Sequence, residues 1–237
     1  MKHQETMLNT LPNIVKESPL NGFSACDIGD NHLFINMDTP LRKDAFKLTD
    51  EEKKQKIAHH FAEIMEVLGL DLTDDSLKGT PERVAKMYVD EIFSGLNPKN
   101  KPKVALFDNK YQYNQMLVEK NITLYSNCEH HFVPIMGVAH VAYISSGKVI
   151  GLSKLNRIVK YFAKRPQVQE RLTNQIAKEL QEILGTEDVA VIIDAKHLCV
   201  SSRGIEDNAS STVTSFYGGK FNEPDKIREL HAYVYNS

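Results

Sequence analysis

Two short motifs carry side chains that can bind a soft metal ion. Residues 128–131 read Cys-Glu-His-His, so the thiol of Cys128 and the imidazole of His131 can reach one metal from a single turn. Far downstream, His197 and Cys199 are separated by one residue. Thiolate sulfur combined with imidazole nitrogen is the ligand chemistry of zinc rather than of magnesium or calcium. The two motifs therefore predict a zinc site.

The number of ligands decides what kind of zinc site this is. A structural site has four protein ligands, whereas a catalytic site keeps one position for water. Cys128, His131 and Cys199 make three ligands, which leaves His130 and His197 as nearby bases. The alternative is that the cysteines are small buried hydrophobic residues and the histidines ordinary polar ones. The second motif, at the end of an apolar segment, favours the metal.

Around these motifs, apolar residues recur in some stretches with the spacing of a strand and in others with the spacing of a helix. We expect a helix with Ser153 as its N-cap and a longer helix that begins at Pro166 and ends at Gly185. A last helix is expected over about 224–234. Strands are expected over about 119–126, 133–145, 148–151, 188–201 and 208–218. The order strand–strand–helix–helix–strand–strand predicts an α+β domain with a largely antiparallel sheet and helices on one face.

The strand expected at 188–201 carries one half of the metal site. Alternation places Val189, Val191, Ile193, Ala195, His197 and Cys199 on one face. This face is apolar until it ends in an imidazole and a thiol. The site should therefore lie at the end of the sheet, with the His197 imidazole beside the metal.

The chain before residue 103 has a different pattern. Residues 1–45 are expected to form an irregular arm, in which Cys26 has no ligand partner at metal-binding spacing. Residues 46–102 should be helical. Thr49 begins a capping box, and Thr80 is expected as the N-cap of a second helix. Residues 103–237 would then be the catalytic domain.

Composition restricts the class of protein. The 237 residues carry a net charge of −2, which disfavours a nucleic-acid polymer as partner. Three cysteines, an odd number, favour a reducing compartment over a disulfide framework. The N-terminus has no apolar signal segment, and the aliphatic runs are too short to span a bilayer. We expect a cytoplasmic protein without membrane contact.

Taken together, the motifs resemble those of the GTP cyclohydrolase I family. The resemblance covers roughly residues 45–233. The matching motifs are Thr-Pro-Glu-Arg-Val-Ala-Lys-Met-Tyr at 80–88, Cys-Glu-His-His-Phe at 128–132, Gly-Leu-Ser-Lys-Leu-Asn-Arg at 151–157, Arg-Pro-Gln-Val-Gln-Glu-Arg-Leu-Thr at 165–173, and His-Leu-Cys at 197–199 followed by Arg203-Gly204.

The resemblance implies a function that the residues alone do not reveal. It implies a zinc-dependent hydrolase that opens the guanine ring of GTP. The products are formate and 7,8-dihydroneopterin triphosphate, at the first step of folate or tetrahydropterin synthesis. The chain has neither of the common glycine-rich phosphate loops, so GTP as substrate rests on the resemblance. The same resemblance implies the tunnelling fold, one zinc per subunit, and a homodecamer of two face-to-face pentamers.

Residue roles follow from the same resemblance. His197 would protonate the purine ring, and His130 would carry later proton transfers, since imidazoles titrate near neutrality. Ser153 would contact ribose or phosphate, or only cap its helix. The Glu170 carboxylate would accept from N1–H and the 2-amino group of guanine, with Gln169 in the same substrate-binding motif. The cations expected to bind the triphosphate are Lys154, Arg157, Arg203 and Lys86, each with exposed surface charge as the alternative.

Two alternatives belong to other classes. A zinc-stabilised assembly module without activity would close its site with His130 or His197 as a fourth ligand. An enzyme of the same fold acting on pterins or queuosine precursors would use three histidines or a nucleophilic cysteine. The pairing of Cys-x-x-His with His-x-Cys disfavours the second alternative.

Overall fold

The fold was obtained as a computed structural model that describes residues 38–235. Most of the arm predicted for residues 1–45, including Cys26, lies outside the described residues. The boundaries proposed at residues 46–102 and 103–237 stay predictions. Across the described chain, no helix has the combination of length and apolarity needed to cross a membrane.

Six α-helices occur within residues 38–235. Their ranges are α1 Asp50–Val67, α2 Thr80–Lys86, α3 Leu152–Ala163, α4 Gln169–Leu184, α5 Leu198–Ser201 and α6 Pro224–Tyr235. A π-helical segment, Met87–Ile92, continues directly from α2. The helical periodicity therefore predicted the main helices correctly, while the short α5 was not expected.

Helix starts show where local sequence signals hold and where they fail. The capping box at Thr49 is confirmed, because its side chain accepts from the Glu52 N–H and Glu52 accepts from the Thr49 N–H. Thr80 is not an N-cap, since the cap is Gly79 and the Thr80 N–H already bonds to the carbonyl of Leu77 at 2.9 Å. The Arg83 N–H, which a Thr80 side chain would have capped, instead donates to the Gly79 carbonyl at 3.3 Å.

The strands within residues 38–235 form two sheets. Their ranges are β1 Leu106–Asp108, β2 Met116–Cys128, β3 Pro134–Ile144, β4 Lys148–Ile150, β5 Pro166–Gln167, β6 Val189–His197 and β7 Thr212–Tyr217. The main sheet has the order β5-β2-β3-β6-β7, and β1 pairs with β4. Every pair in the main sheet is antiparallel except β2 with β5. The α+β class with a largely antiparallel sheet is confirmed.

Helices α3 and α4 cover one face of the main sheet. Val141, Val189 and Val191 point to this side, where they pack in one cluster with Leu155 of α3 and Leu172 of α4. All five side chains are essentially inaccessible to solvent. This is the face on which alternation placed the apolar residues of β6.

The opposite face of the sheet is also partly covered. Ala142 and Ile192 alternate with the residues of the first cluster and pack with Phe221, and with Leu230 and Val234 of α6. The two helices between the strand pairs, α3 and α4, lie on one face as predicted, whereas the C-terminal helix α6 packs on the other. The C-terminal helix has its own apolar stripe and must bury it on the free side of the sheet.

The chain between α3 and α4 differs from the prediction. Pro166 does not begin a helix, because Pro166 and Gln167 form β5 and pair with Asn127 and Cys128 of β2. The long helix begins three residues later, at Gln169. This strand joins the segment before α4 directly to the end of the strand that carries Cys128.

Helix α3 also starts differently from the prediction. Its N-cap is Gly151 and no side chain caps it, so Ser153 lies within the first turn. Its other end contacts the helical region: the Gly95 N–H donates to the Lys164 carbonyl at 2.8 Å. A Cβ atom on Gly95 would lie 2.1 Å from the Tyr161 carbonyl oxygen, so only glycine allows this close approach.

Candidate metal centre and active site

The turn after β2 holds the first two ligands. The Cys128 N–H donates to the Val133 carbonyl, and the Phe132 N–H donates to the Cys128 carbonyl, each at 2.9 Å. Phe132 adopts a positive φ of 55°, which closes the turn directly after His131. The Cys128 Sγ atom lies 3.9 Å from Nδ1 of His131. Cysteine and histidine thus face each other across one turn, as their spacing predicted.

The third candidate ligand, Cys199, follows β6 in the chain but does not lie on a strand. The predicted strand over 188–201 is too long, since β6 ends at His197 and Cys199 lies in the short helix α5. His197 pairs with Ile135, one residue from the start of β3. Further pairing would need Val133, whose carbonyl is already bonded to Cys128. The chain therefore leaves the sheet and turns.

The three ligand atoms converge after this turn. The ligand atoms of Cys128, His131 and Cys199 all lie within 4.8 Å of one another. Cys128 is buried, Cys199 is half-buried and His131 is exposed. Two sulfur atoms and one ring nitrogen at this separation fit a soft divalent cation such as zinc.

Electrostatics supports a cation at this point. Burial, and secondly the neighbouring Cys128, raise the pKa of the Cys199 thiol to about 11, while Arg203 opposes this shift. A thiol with a pKa raised in this way keeps its proton at neutral pH unless positive charge is placed beside it. A bound dication reverses this preference, because a coordinating thiol is deprotonated.

A buried ion pair anchors the metal turn to α4. The guanidinium of Arg171 donates to the Glu129 carboxylate, and its side chain is only 2% exposed. Its Nε donates to Oε1 of Gln167 at 3.0 Å, and the Glu129 N–H donates to the Gln167 carbonyl at 3.0 Å. Neither Glu129 nor Gln167 was singled out from sequence, because the contacts that join them to each other and Glu129 to Arg171 span about 40 residues of chain.

The His197 imidazole is hydrogen-bonded to the side chain of Gln169. Its Nε2 lies 2.8 Å from Oε1 of Gln169, a residue that is 1% exposed. Burial lowers the pKa of His197, and the nearby Glu170 carboxylate partly opposes this shift. Gln169 was expected to contact substrate. Its carboxamide is bonded inside the protein, so a substrate contact through that group would have to break one of these bonds.

Three of the other predicted site residues lie near the candidate metal ligands. Glu170, exposed in the first turn of α4, and the half-buried Arg203 act electrostatically on His197 and Cys199 respectively. His130 is exposed, with its Nδ1 3.8 Å from the Cys128 sulfur. These residues lie around the metal ligands of the same protomer.

The remaining predicted residues lie on other elements. Ser153, Lys154 and Arg157 occupy the first two turns of α3, with Ser153 and Arg157 exposed. Lys86 lines a groove whose walls come from α1, α2 and the loop between them. Within one protomer, the phosphate-binding role of these four residues stays a prediction.

Comparison with known proteins identifies the family. Residues 57–234 match the profile of GTP cyclohydrolase I. The chain belongs to the GTP cyclohydrolase I family. It is an enzyme of that type, a hydrolase, and this membership separates it from the pterin and queuosine enzymes of the same fold.

Three relatives of this GTP cyclohydrolase I family member show how far the similarity extends. The protein named GTP cyclohydrolase 1 of Flavobacterium johnsoniae is 66% identical over 208 residues, which covers 88% of this chain and 93% of the relative. That of Aeromonas salmonicida is 57% identical over 195 residues, covering 82% and 88%. That of Salmonella arizonae is 51% identical over 219 residues, covering 92% and 96%.

The ion pair at the metal turn gives a stability prediction. Arg171→Met should lower the free energy of unfolding by about 2–3 kcal/mol, below the 3–5 kcal/mol typical of breaking a buried pair, because Glu129 is 21% exposed and can be hydrated. The same change at the exposed Arg228, paired with Asp225, should cost about 0.5 kcal/mol or less. Urea unfolding of both variants measures this difference. Equal losses would show that the buried pair does not anchor the turn.

Proposed function

We propose that this chain opens the guanine ring of GTP by hydrolysis at the centre formed by Cys128, His131 and Cys199. The observation that carries the proposal is the convergence of two thiols and one imidazole, with a second imidazole, that of His197, fixed beside them. The relatives named GTP cyclohydrolase 1 supply the substrate. The products would be formate and 7,8-dihydroneopterin triphosphate, the start of a folate or pterin pathway.

The three ligands favour a catalytic centre over a structural one. Zinc, when bound there, supplies a Lewis acid that lowers the pKa of a water molecule towards neutrality. Three protein ligands leave one coordination position free for that water, whereas a structural site would use a fourth side chain. His197 is the natural fourth candidate, yet among the described residues it does not belong to the group of Cys128, His131 and Cys199 whose ligand atoms lie within 4.8 Å of one another.

His197 is the proposed proton carrier for the purine ring. Its lowered pKa favours the neutral imidazole before reaction. A neutral imidazole can accept a proton from the attacking water and pass it to a ring nitrogen of the guanine. The carboxylate of Glu170 favours the charged imidazolium that exists between these two transfers.

His130 is assigned to the later proton transfers. Its side chain is 41% exposed and its Nε2 lies 3.9 Å from a carboxylate oxygen of Glu129. An accessible imidazole can exchange protons with solvent while the ring opens, formate leaves and the ribose rearranges.

Assembly of several copies would complete the pocket. Glu170 is exposed in the protomer, and the α3 cations Lys154 and Arg157 lie on a different element from the metal ligands. β2 pairs with β5 only at Asn127 and Cys128, which leaves most of one edge of the sheet open, and β7 forms the other edge. Open edges favour pairing with further strands. We infer a homo-oligomer, a decamer of two pentamers, whose neighbouring copies bring the triphosphate cations to the metal.

The metal assignment predicts two distinct classes of variant. Cys128→Ser, His131→Ala and Cys199→Ser should each lose zinc together with formate release from GTP. His197→Ala should keep zinc and lose about 10²- to 10⁴-fold in turnover, the contribution of a general acid–base residue. Elemental analysis and a formate assay on the same preparations measure both properties.

A matched control and a contradicting result complete this test. His231→Ala removes an imidazole that bonds to Tyr217 on the other side of the sheet, so it should retain both zinc and activity. A zinc-free His197→Ala protein would show that His197 is a ligand and that the three-ligand assignment is incorrect.

Glu170 is proposed to select guanine. A carboxylate can accept from N1–H and the 2-amino group together, whereas inosine triphosphate offers only N1–H and ATP offers neither. Glu170→Gln should lower kcat/KM for GTP by about 10- to 100-fold, because charge-assisted hydrogen bonds contribute about 1.5–3 kcal/mol each. Zinc content and assembly should be unchanged.

The specificity assay compares GTP, inosine triphosphate and ATP with each variant. Glu182→Gln makes the same change at an exposed position on the same helix and should have no effect. If Glu170→Gln keeps the wild-type preference for GTP over inosine triphosphate, the base is recognised by another group.

A further inference from the structure

We propose that Gln169 is a positioning residue that holds His197 as the tautomer protonated on Nε2. Nδ1 is then the nitrogen that exchanges protons during the reaction. The catalytic consequence rests on the role proposed above for His197, whereas the tautomer is a property of the resting protein. The inference is carried by the hydrogen bonds around the Gln169 side chain.

The orientation of the Gln169 carboxamide is decided by two backbone carbonyls. Its Nε2 lies 3.1 Å from the Ile193 carbonyl and 2.8 Å from the Thr212 carbonyl, and carbonyl oxygens can only accept hydrogen bonds. The NH2 group must therefore face these carbonyls. The carboxamide oxygen Oε1 then faces Nε2 of His197, 2.8 Å away.

Two threonine hydroxyls reinforce this orientation. Thr173 Oγ1 lies 2.8 Å from the Gln169 backbone carbonyl, so the Thr173 hydroxyl donates there. Thr214 Oγ1, 2.7 Å from Thr173 Oγ1, must then be the donor of that pair. The Thr214 oxygen can then only accept, and it lies 3.1 Å from Gln169 Nε2 as a third acceptor. The two N–H groups of the carboxamide are thus shared among three acceptors, all on the side away from His197.

Burial makes the arrangement costly to reverse. Gln169 is 1% exposed, Thr173 is 2% exposed and Ile193 is fully buried. A flipped carboxamide would place its oxygen against two carbonyls and its NH2 against the imidazole. Buried donors and acceptors without partners cost free energy, because water does not reach them to supply the missing hydrogen bonds.

The state of His197 follows from the fixed oxygen. Gln169 Oε1 has no proton, so the neutral imidazole must donate from Nε2 and keep its lone pair on Nδ1. The same bond occupies Nε2, so Nδ1 is the nitrogen at which the neutral imidazole can accept a proton. Hydrogen bonds of this kind set the tautomer and ring orientation of functional histidines.

Nitrogen NMR tests the tautomer on the zinc-loaded wild-type protein. Histidine labelled with ¹⁵N is observed by magic-angle-spinning spectroscopy at about pH 8.5, above the ordinary histidine pKa of about 6.5. The His197 signals are identified as those missing from His197→Gln. We expect a protonated Nε2 and an unprotonated Nδ1. The reverse assignment would overturn the proposal without any variant of Gln169.

Replacing the carboxamide tests its effect on catalysis. Gln169→Met has similar length but no polar group, so both nitrogens of His197 should share the proton. We expect kcat to fall about 10- to 100-fold with the KM for GTP changed by less than about threefold, as for loss of a group that orients a functional histidine. A raised KM with unchanged kcat would instead mark a direct substrate contact and overturn the proposal.

Two further variants separate positioning from folding. Gln169→Glu keeps an oxygen towards His197 and should therefore keep the Nε2–H tautomer, even where stability falls. Gln181→Met removes a glutamine of the same helix that bonds to Glu187, and it should alter neither tautomer nor kcat. A mixed tautomer in Gln169→Glu would contradict the inference. Full turnover by His197→Gln would refute the catalytic role of His197 and leave the tautomer result standing.

Discussion

The hydrogen bonds that join β3 to β2 on one side and to β6 on the other hold the two halves of the metal centre together. β2 delivers Cys128, and β6 ends at His197 opposite Ile135, next to the start of β3. The first ligand pair and Cys199 are about 70 residues apart in the chain, and this shared strand brings them within 4.8 Å. The apolar layers on both sides of the sheet make its register costly to shift, because a shift by one residue would exchange its two faces.

Buried polar groups then determine how each functional side chain is presented. Arg171 secures the metal turn through Glu129, and Gln169 secures His197, so one end of α4 supports both parts of the site. Gln167 and Gln169 precede Arg171 in the chain. Both are buried, and their side chains form hydrogen bonds within the protein. Buried networks of this kind specify one arrangement when every member is satisfied. The exposed residues Glu170 and His130 lie beside this rigid support.

Predictions from the sequence were correct where neighbouring residues determine the local structure. They were incomplete where a residue far away in the chain determines it. The Thr49 capping box and the apolar alternation of β6 were correct because neighbouring residues suffice to specify them. The end of β6 was missed because the start of β3 at Pro134, not the strand's own composition, terminates the pairing. The buried hydrogen bonds of Gln169 could not be predicted because its partners on β6 and β7 lie 24 to 45 residues away, and its contact with substrate, implied by the resemblance, stays a prediction. The convergence of Cys128, His131 and Cys199 was predictable because metal-ligand chemistry restricts residue types so strongly.

The central claim is that Cys128, His131 and Cys199 hold one zinc ion while His197 stays outside the coordination sphere. X-ray absorption at the zinc edge of the wild-type protein tests this most directly. The account predicts two sulfur neighbours at about 2.3 Å and two lighter neighbours at about 2.0–2.1 Å. Multiple scattering should show that only one of the lighter neighbours is an imidazole. Two imidazoles, or fewer than two sulfur atoms, would contradict the account.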